Sequence, residues 1–202
     1  MVVQTSAHLD LGCATTPRNP YGRSQLYGLD INDHSNELVG DNTQLAMANL
    51  ALDKIPFADN FFSSVSAFDL LEHIPPLIYL EQDQEITYPF IRLMDEIWRV
   101  LIPGGRFLAT IPAYPSPAAF VDPTHVNVIT DKTHEFFCGK DPEARKYGFQ
   151  GRYIAHIAKF SDTKNVEQMP PNFWRSQLRD FARKFDKRGL QHVVWELEAI
   201  KQ

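Results

Sequence analysis

The segment Glu96 to Pro112, EIWRVLIPGGRFLATIP, constrains the fold more than any other stretch of the chain. Ile97, Val100 and Leu101 recur at helical spacing (i, i+3, i+4), which gives one apolar face. Pro103-Gly104-Gly105 cannot continue a helix and supplies a tight reversal. Phe107 to Ile111 is short and apolar, the signature of a strand buried on both faces. A helix feeding a parallel strand through a short turn is half of a βαβ unit. The segment therefore fixes an α/β fold class and leaves function open.

The rest of the chain repeats the alternation. Strand signals fall at His8 to Leu11, Leu26 to Ile31, more weakly Gln44 to Leu50, Ser63 to Phe68, and Arg106 to Ile111. Helices are expected from Leu70 and over Thr87 to Leu101. Strands alternating with helices imply a mainly parallel sheet with helices on both faces. Ligands in such sheets bind at the carboxyl ends of the strands, near the switch in strand order. A length of 202 residues suits one domain with a sizeable core. The net charge of −5 gives no support for nucleic-acid or anionic-membrane binding. No run approaches the roughly 20 apolar residues of a membrane span. The start, MVVQTSAHLDLGC, lacks the basic and apolar regions of a signal peptide. Cys13 and Cys138 form no CxxC pair and suggest a reducing, cytoplasmic setting.

At the strand ends the residues become chemical. Asp10 closes the first strand, and Gly12 follows where backbone must approach a ligand closely. Asp30 ends the second strand, twenty residues after Asp10. A carboxylate there can accept two hydrogen bonds from a ribose diol. Equally, Asp30 could be a turn residue capping Asn32-Asp33.

Five motifs occur in order: LDLGC (Leu9 to Cys13), YGLDI (Tyr27 to Ile31), IPFADNFF (Ile55 to Phe62), FDLLEHIP (Phe68 to Pro75) and EIWRVLIPGG (Glu96 to Gly105). Together they resemble the class I S-adenosylmethionine (SAM) dependent methyltransferases, the small methyltransferase-11-like group. The resemblance covers residue 8 to about 138. It implies a Rossmann-like, seven-stranded, mainly parallel sheet whose last strand is antiparallel. The whole chain, 1–202, is then one domain, with 139–202 adding C-terminal strands and a helix. It also implies SAM as cofactor and methyl transfer as the reaction. Carried over by motif, Asp10, Gly12, Cys13 and Ala14 line the methionine end of SAM. Asp30 binds the ribose hydroxyls and Ile31 packs on adenine. Asn49-Leu50 falls where the family usually has an acidic and an apolar residue beside adenine. Phe68 and His73 flank the methionine and sulfonium side.

The family's glycine loop is degraded here, reading Gly12-Cys13-Ala14-Thr15-Thr16 before Pro17 and Pro20. These prolines oppose the usual helix, so an irregular connection is expected over Thr15 to Ser24. Ala14 is tolerable on a right-handed backbone and strained on a left-handed one. Helices that often precede the first strand are expected to be missing or very short. Either SAM then sits more open, or a partner covers it.

The acceptor side is expected in Phe120 to Phe137, FVDPTHVNVITDKTHEFF, with Thr133 as a helix N-cap. Asp122, His125 and His134 are the clustered titratable groups. His125 could be a general base for a hydroxyl or amine acceptor, with Asp122 holding its tautomer. Alternatively His125 holds the loop through backbone hydrogen bonds and Asp122 caps the turn before Pro123. The spacing matches no familiar metal-ligand pattern, so no metal is expected. Farther on, Tyr153 to Phe160 reads as a sixth strand and His192 to Ile200 as the closing one. Between them, Asn172 to Lys187 reads as an amphipathic helix with Trp174, Leu178, Phe181 and Phe185 on its apolar stripe. Its basic face (Arg175, Arg179, Arg183, Lys184) is either simply solvated or a lip for an anionic acceptor.

The expected function is SAM-dependent methyl transfer to oxygen or nitrogen on a small molecule or glycan precursor. A catalytically silent SAM-binding or scaffold protein is the alternative. A nicotinamide-dependent oxidoreductase is disfavoured, because GCATTP lacks the G-x-G-x-x-G fingerprint. The sequence leaves oligomer formation open.

Overall fold

The computed structural model describes residues 6–34, 36–82, 84–161 and 191–201. The main sheet takes strands β1 (Ala7–Leu11), β2 (Gln25–Asp30), β3 (Thr43–Met47) and β4 (Phe62–Phe68) from the first half of the chain. A small hairpin of β5 (Ile78–Leu80) and β6 (Glu85–Thr87) precedes helix α1 (Pro89–Val100). Strand β7 (Leu101–Pro112), a short helix α2 (Ala118–Val121), β8 (Tyr153–Ser161) and β9 (His192–Ala199) follow, with short 3-10 helices at Leu71–His73, Thr133–Phe137 and Glu143–Tyr147. The seven strands lie in the order β3-β2-β1-β4-β7-β9-β8. β3, β2, β1, β4 and β7 pair in parallel, and β9 runs antiparallel between β7 and β8. This is the Rossmann-like arrangement expected, with the last strand reversed. The order switches between β1 and β4, so their carboxyl ends mark the crevice where ligands bind in such sheets.

Burial explains why these segments became strands. Every residue of β1 is buried, and Leu9, Val65, Phe107 and Ile111 are fully enclosed in the central strands. Burial on both faces suits a parallel sheet covered on both sides, and it holds even for the polar residues His8, Asp10, Ser64 and Ser66. Helix α1 packs Leu93, Met94, Ile97 and Val100 into the same core, and Pro89 starts it where a missing N–H costs nothing. Arg99 leaves its far end and clamps the preceding loop, donating to the carbonyls of Ile55 and Phe57 and to Glu96 and Asp59.

Three sequence expectations need correction. The helix expected from Leu70 is a single 3-10 turn, Leu71–His73, because Pro75 and Pro76 follow at once. The reversal expected at Pro103-Gly104-Gly105 is instead an irregularity within β7. Leu101 pairs with Phe62 but Arg106 with Ser64, and Gly104 absorbs the bulge at φ +75°. The segment Thr133–Phe137 forms a 3-10 turn preceded by Lys132 at the cap position, while the Thr133 hydroxyl accepts from the Thr130 N–H at 2.9 Å. Residues 12–24 form no helix, in line with their prolines. Among the described residues, α1 is the only helix longer than five residues, so coverage of both faces is carried largely by loops and short turns. The amphipathic helix read at Asn172 to Lys187, and any element ahead of Ser6, lie outside the described residues. Among the described residues, no helix is long and apolar enough to cross a membrane.

Candidate active site

A buried polar chain underlies the crevice. Asp10 and His8 project from β1 toward Ser64 and Ser66 of β4, and all four are buried. Ser66 donates to Asp10 Oδ1 at 2.5 Å, so its oxygen is left to accept from His8 Nε2–H at 2.8 Å. His8 Nδ1 is then bare and accepts from the Ser64 hydroxyl at 2.8 Å. Burial, with Arg23 nearby, lowers the His8 pKa to about 3, so the ring is neutral. Burial raises the Asp10 carboxyl to about 6 against the hydrogen bonds it accepts. Its second oxygen takes the Arg18 N–H at 2.7 Å, which pins the proline-containing loop over β1. Arg18 then places its guanidinium 4.5 Å from the centre of the Phe68 ring.

Asp30 stands at the end of β2, as the sequence suggested, and does two jobs. Its Oδ1 accepts from the N–H and side-chain amide of Asn32, the turn-capping role. Its Oδ2 accepts from the Ala14 N–H at 2.9 Å. Partial burial raises its pKa, but the bonds from Asn32 and Ala14, with His34 nearby, hold it below the usual value. Ala14 is left-handed at φ 48°, the strained alternative, and its bond to Asp30 offsets part of that cost. Gly12 is also left-handed, at φ +66°, and a Cβ there would stand 3.0 Å from Leu70 Cδ1. Cys13 is a packing residue: it fills the space beside Gly28, where an added Cβ would lie 2.5 Å from its sulfur. Burial pushes its thiol up to about 12, with Asp10 and Asp30 adding to the shift.

These features suit an adenosyl ligand. An oxygen that accepts one hydrogen bond, as Asp30 Oδ2 does, has a second lone pair. Ile31 at 62% exposed and Met47 at 58% offer apolar surface at the ends of β2 and β3. Leu50, by contrast, is buried in the core, and Asn49 Oδ1 accepts from Ala51 N–H to cap its own turn.

Across the switch point, at the carboxyl ends of β4 and β7, lies a cleft of about 680 Å³. Its wall brings together His73 and His125, expected on opposite sides of the site, with Glu72, which carried no expectation. The backbone carbonyl of Glu72 accepts from the N–H groups of Val126 (2.9 Å) and Asn127 (3.0 Å), and this staples the 3-10 turn to the acceptor-side loop. The two imidazoles meet edge to face with centroids 4.8 Å apart. His125 Nδ1–H donates to the Ala119 carbonyl at 3.3 Å, which leaves Nε2 as a lone pair 3.9 Å from Glu72 Oε1. The Asp122 carboxylate makes no hydrogen bond to the His125 ring; the two residues are joined only through backbone, with His125 N–H donating to the Asp122 carbonyl at 3.1 Å. The carboxylate accepts from the Thr124 hydroxyl at 2.6 Å, and that hydroxyl accepts from His73 Nδ1–H at 3.0 Å. Asp122 therefore orients His73 through Thr124, and its own pKa is lowered chiefly by the Thr124 hydrogen bonds. His134 lies elsewhere, beside Trp195, with its pKa lowered by burial.

Glu72 is the residue that sequence reading missed. It is 1% exposed, and among the described residues neither carboxylate oxygen finds a hydrogen-bond donor. Burial raises its pKa to about 8, with Asp69 and Asp122 adding repulsion. The facing wall carries a contact between His192 Nε2 and Asp69 Oδ1 at 3.1 Å. An acid next to a histidine in LEHIP was the available signal, but its burial depends on a loop fifty residues away.

Comparison with known proteins agrees with the fold. Residues 9–109 match the family model described as a methyltransferase domain. Among solved structures, a SAM-dependent methyltransferase from Archaeoglobus fulgidus is similar at 13% identity and TM-score 0.55, covering 95% of this chain and 85% of that one. An S-adenosylmethionine-dependent methyltransferase from Mesorhizobium loti is similar at 15% identity and TM-score 0.51, covering 95% and 90%. The [4+2]-cyclase SpnF reaches TM-score 0.57 at 15% identity, covering 97% and 75%. None of the curated proteins matches the sequence.

Proposed function

The chain belongs to the methyltransferase-domain family and is a SAM-dependent methyltransferase, and on that premise we propose that it methylates an oxygen or nitrogen of a small-molecule or glycan-precursor acceptor. One observation carries the proposal. Two imidazoles and a buried carboxylate converge in a cleft at the carboxyl ends of β4 and β7, beside the strands whose ends suit the cofactor. When bound, SAM supplies a sulfonium-activated methyl group with a neutral thioether as leaving group.

The residues then divide by role. Asp30 holds the ribose with the capacity its own loop leaves over. Ile31 flanks adenine, as does the turn capped by Asn49 and anchored by Leu50. Asp10, Gly12, Cys13 and Ala14 shape the loop along the methionine end. Phe68 and His73 border the path to the acceptor. Most of the rate comes from alignment, since the leaving group needs little help. A hydroxyl or protonated amine acceptor must also lose a proton, and His125 manages it. Asp122 is a positioning residue, acting on His73 through Thr124. The acidic walls (Asp69, Glu72, Asp122) favour an uncharged or cationic acceptor over a phosphorylated one. A basic lip from Arg175, Arg179, Arg183 and Lys184 lies outside the described residues.

Calorimetry with SAM, S-adenosylhomocysteine and NAD tests the cofactor side; the first two should bind and NAD should not. Release of S-adenosylhomocysteine across a panel of hydroxyl and amine acceptors tests the reaction. Tight SAM binding with no turnover on any acceptor would favour a silent SAM-binding protein.

A further inference from the structure

We propose that Glu72, His73 and His125 bind one divalent transition-metal ion, of the imidazole-accepting kind represented by Mn²⁺, Fe²⁺, Co²⁺ and Zn²⁺. The inference deepens the functional reading above and rests on it only for what the ion would do to the acceptor. One donor atom from each of the three residues lies within 4.8 Å of the others. Metal bonds near 2.1 Å set neighbouring ligands about 3 Å apart, so the atoms draw in by roughly 1–2 Å on binding.

Three independent features point to a cation. First, the Glu72 carboxylate is enclosed with no donor among the described residues. A buried carboxylate in that position needs a counter-charge or a proton. Second, both histidines are held in one tautomer. His73 gives its Nδ1–H to Thr124 and His125 gives its own to Ala119, so each keeps an unprotonated Nε2. Histidines that ligate metals donate their other N–H to protein acceptors in this way. Third, the frame is fixed in advance. Glu72, Val126 and Asn127 are joined through backbone, and the Asn127 side chain donates to the Leu71 carbonyl at 3.3 Å.

The surrounding charges agree. Asp69 and Asp122 both raise the negative potential at Glu72, and His192 is engaged with Asp69. Two imidazoles with one carboxylate select transition metals over Mg²⁺ or Ca²⁺, which prefer oxygen ligands. Three protein ligands leave positions open toward the cleft, so the matching acceptor carries a hydroxyl. A coordinated hydroxyl loses its proton to water more readily. With the ion bound, His125 would be a ligand, and the acceptor's proton would leave to water.

Titration of the full chain with MnCl₂, followed by loss of the free Mn²⁺ paramagnetic-resonance signal, tests the site. The expected result is one ion per chain, and CoCl₂ should give visible bands of imidazole coordination. Glu72→Gln and His125→Ala should each weaken Mn²⁺ by about 100-fold or more, and Thr124→Val by about 10-fold through His73. If a variant fails to fold, His73→Gln supplies the same comparison. Failure of the wild-type chain to take up Mn²⁺, Co²⁺ or Zn²⁺ overturns the proposal, as does unchanged uptake by Glu72→Gln. SAM affinity on the same cation-free preparation separates the two readings. SAM binding without ion uptake removes this inference and leaves the methyltransferase assignment intact.

Discussion

The two sides of the crevice treat their carboxylates in opposite ways. On the cofactor side Asp10 and Asp30 each hold loop N–H groups, so their charge is spent on fixing the chain from Gly12 to Arg18. On the acceptor side Glu72 is more enclosed than Asp30 and has no donor among the described residues. A satisfied carboxylate shapes a protein; an unsatisfied one is held ready for a ligand or a proton. The degraded glycine loop follows from the same division. With few glycines to turn its backbone, the loop is held by two aspartates.

Substitutions can break this contrast. The largest effect is expected from His125→Ala, which should lower turnover about 10²–10⁴-fold while leaving SAM affinity within a few-fold. Rate and affinity measured on one preparation decide it. A collapse of SAM binding would mean that the loop belongs to the cofactor pocket. Asp30→Ala should weaken SAM by about 1–3 kcal/mol and also loosen the Ala14 turn. Unchanged affinity in a folded variant would confine Asp30 to its capping role.

The buried chain beneath the crevice should appear in the pH dependence of stability. His8 is neutral in the fold, with a pKa of about 3 against 6.5 when exposed, so unfolding takes up a proton between those values. Native stability should therefore fall as pH drops below about 6.5, by up to about 1.4 kcal/mol per pH unit. Asp10 works the other way: with its pKa raised from 3.8 to about 6, its contribution is full below 3.8 and lost as pH rises through 6. Denaturant melts of the wild type and His8→Gln from pH 7 to 4 separate the two, since only the wild type should carry the His8 slope. The smallest effect is expected from Glu72→Gln in cation-free buffer, less than about 1 kcal/mol, because no hydrogen bond is lost. A loss of several kcal/mol on thermal or denaturant unfolding would show that Glu72 holds the fold together and is no ligand in waiting.

Much of the scaffold was legible because it rests on local rules. Apolar runs marked the strands, and the position of Asp30 at a strand end followed from counting. The prolines after Gly12 announced the irregular crossover. The hairpin at Ile78–Thr87 was not foreseen, since LEQDQE carries none of the glycine signals of a tight turn. Asp122 was read as a partner of His125 because three residues separate them, yet Thr124 intervenes and turns it toward His73. The burial of Glu72 is not legible locally, because an acid in LEHIP can as readily face water. The loop that brings Val126 and Asn127 onto its backbone carbonyl lies far along the chain, and no local pattern encodes that contact.

The His8–Ser66–Asp10 chain has one more consequence, for alignment. β1 and β4 are stacked with His8 opposite Ser64 and Asp10 opposite Ser66. Sliding β4 by two residues, the smallest slip that keeps its faces, would set Asp10 against Phe68 or His8 against Phe62. A buried ionisable group would then lose a serine partner, at a cost of about 1–3 kcal/mol for each group stranded. Apolar side chains discriminate poorly among such offsets, whereas these four polar ones accept a single match. They act as a keyed joint between the strand that ends at the cofactor loop and the strand that ends at Asp69. The two halves of the crevice thus meet at one height, because the key permits no other.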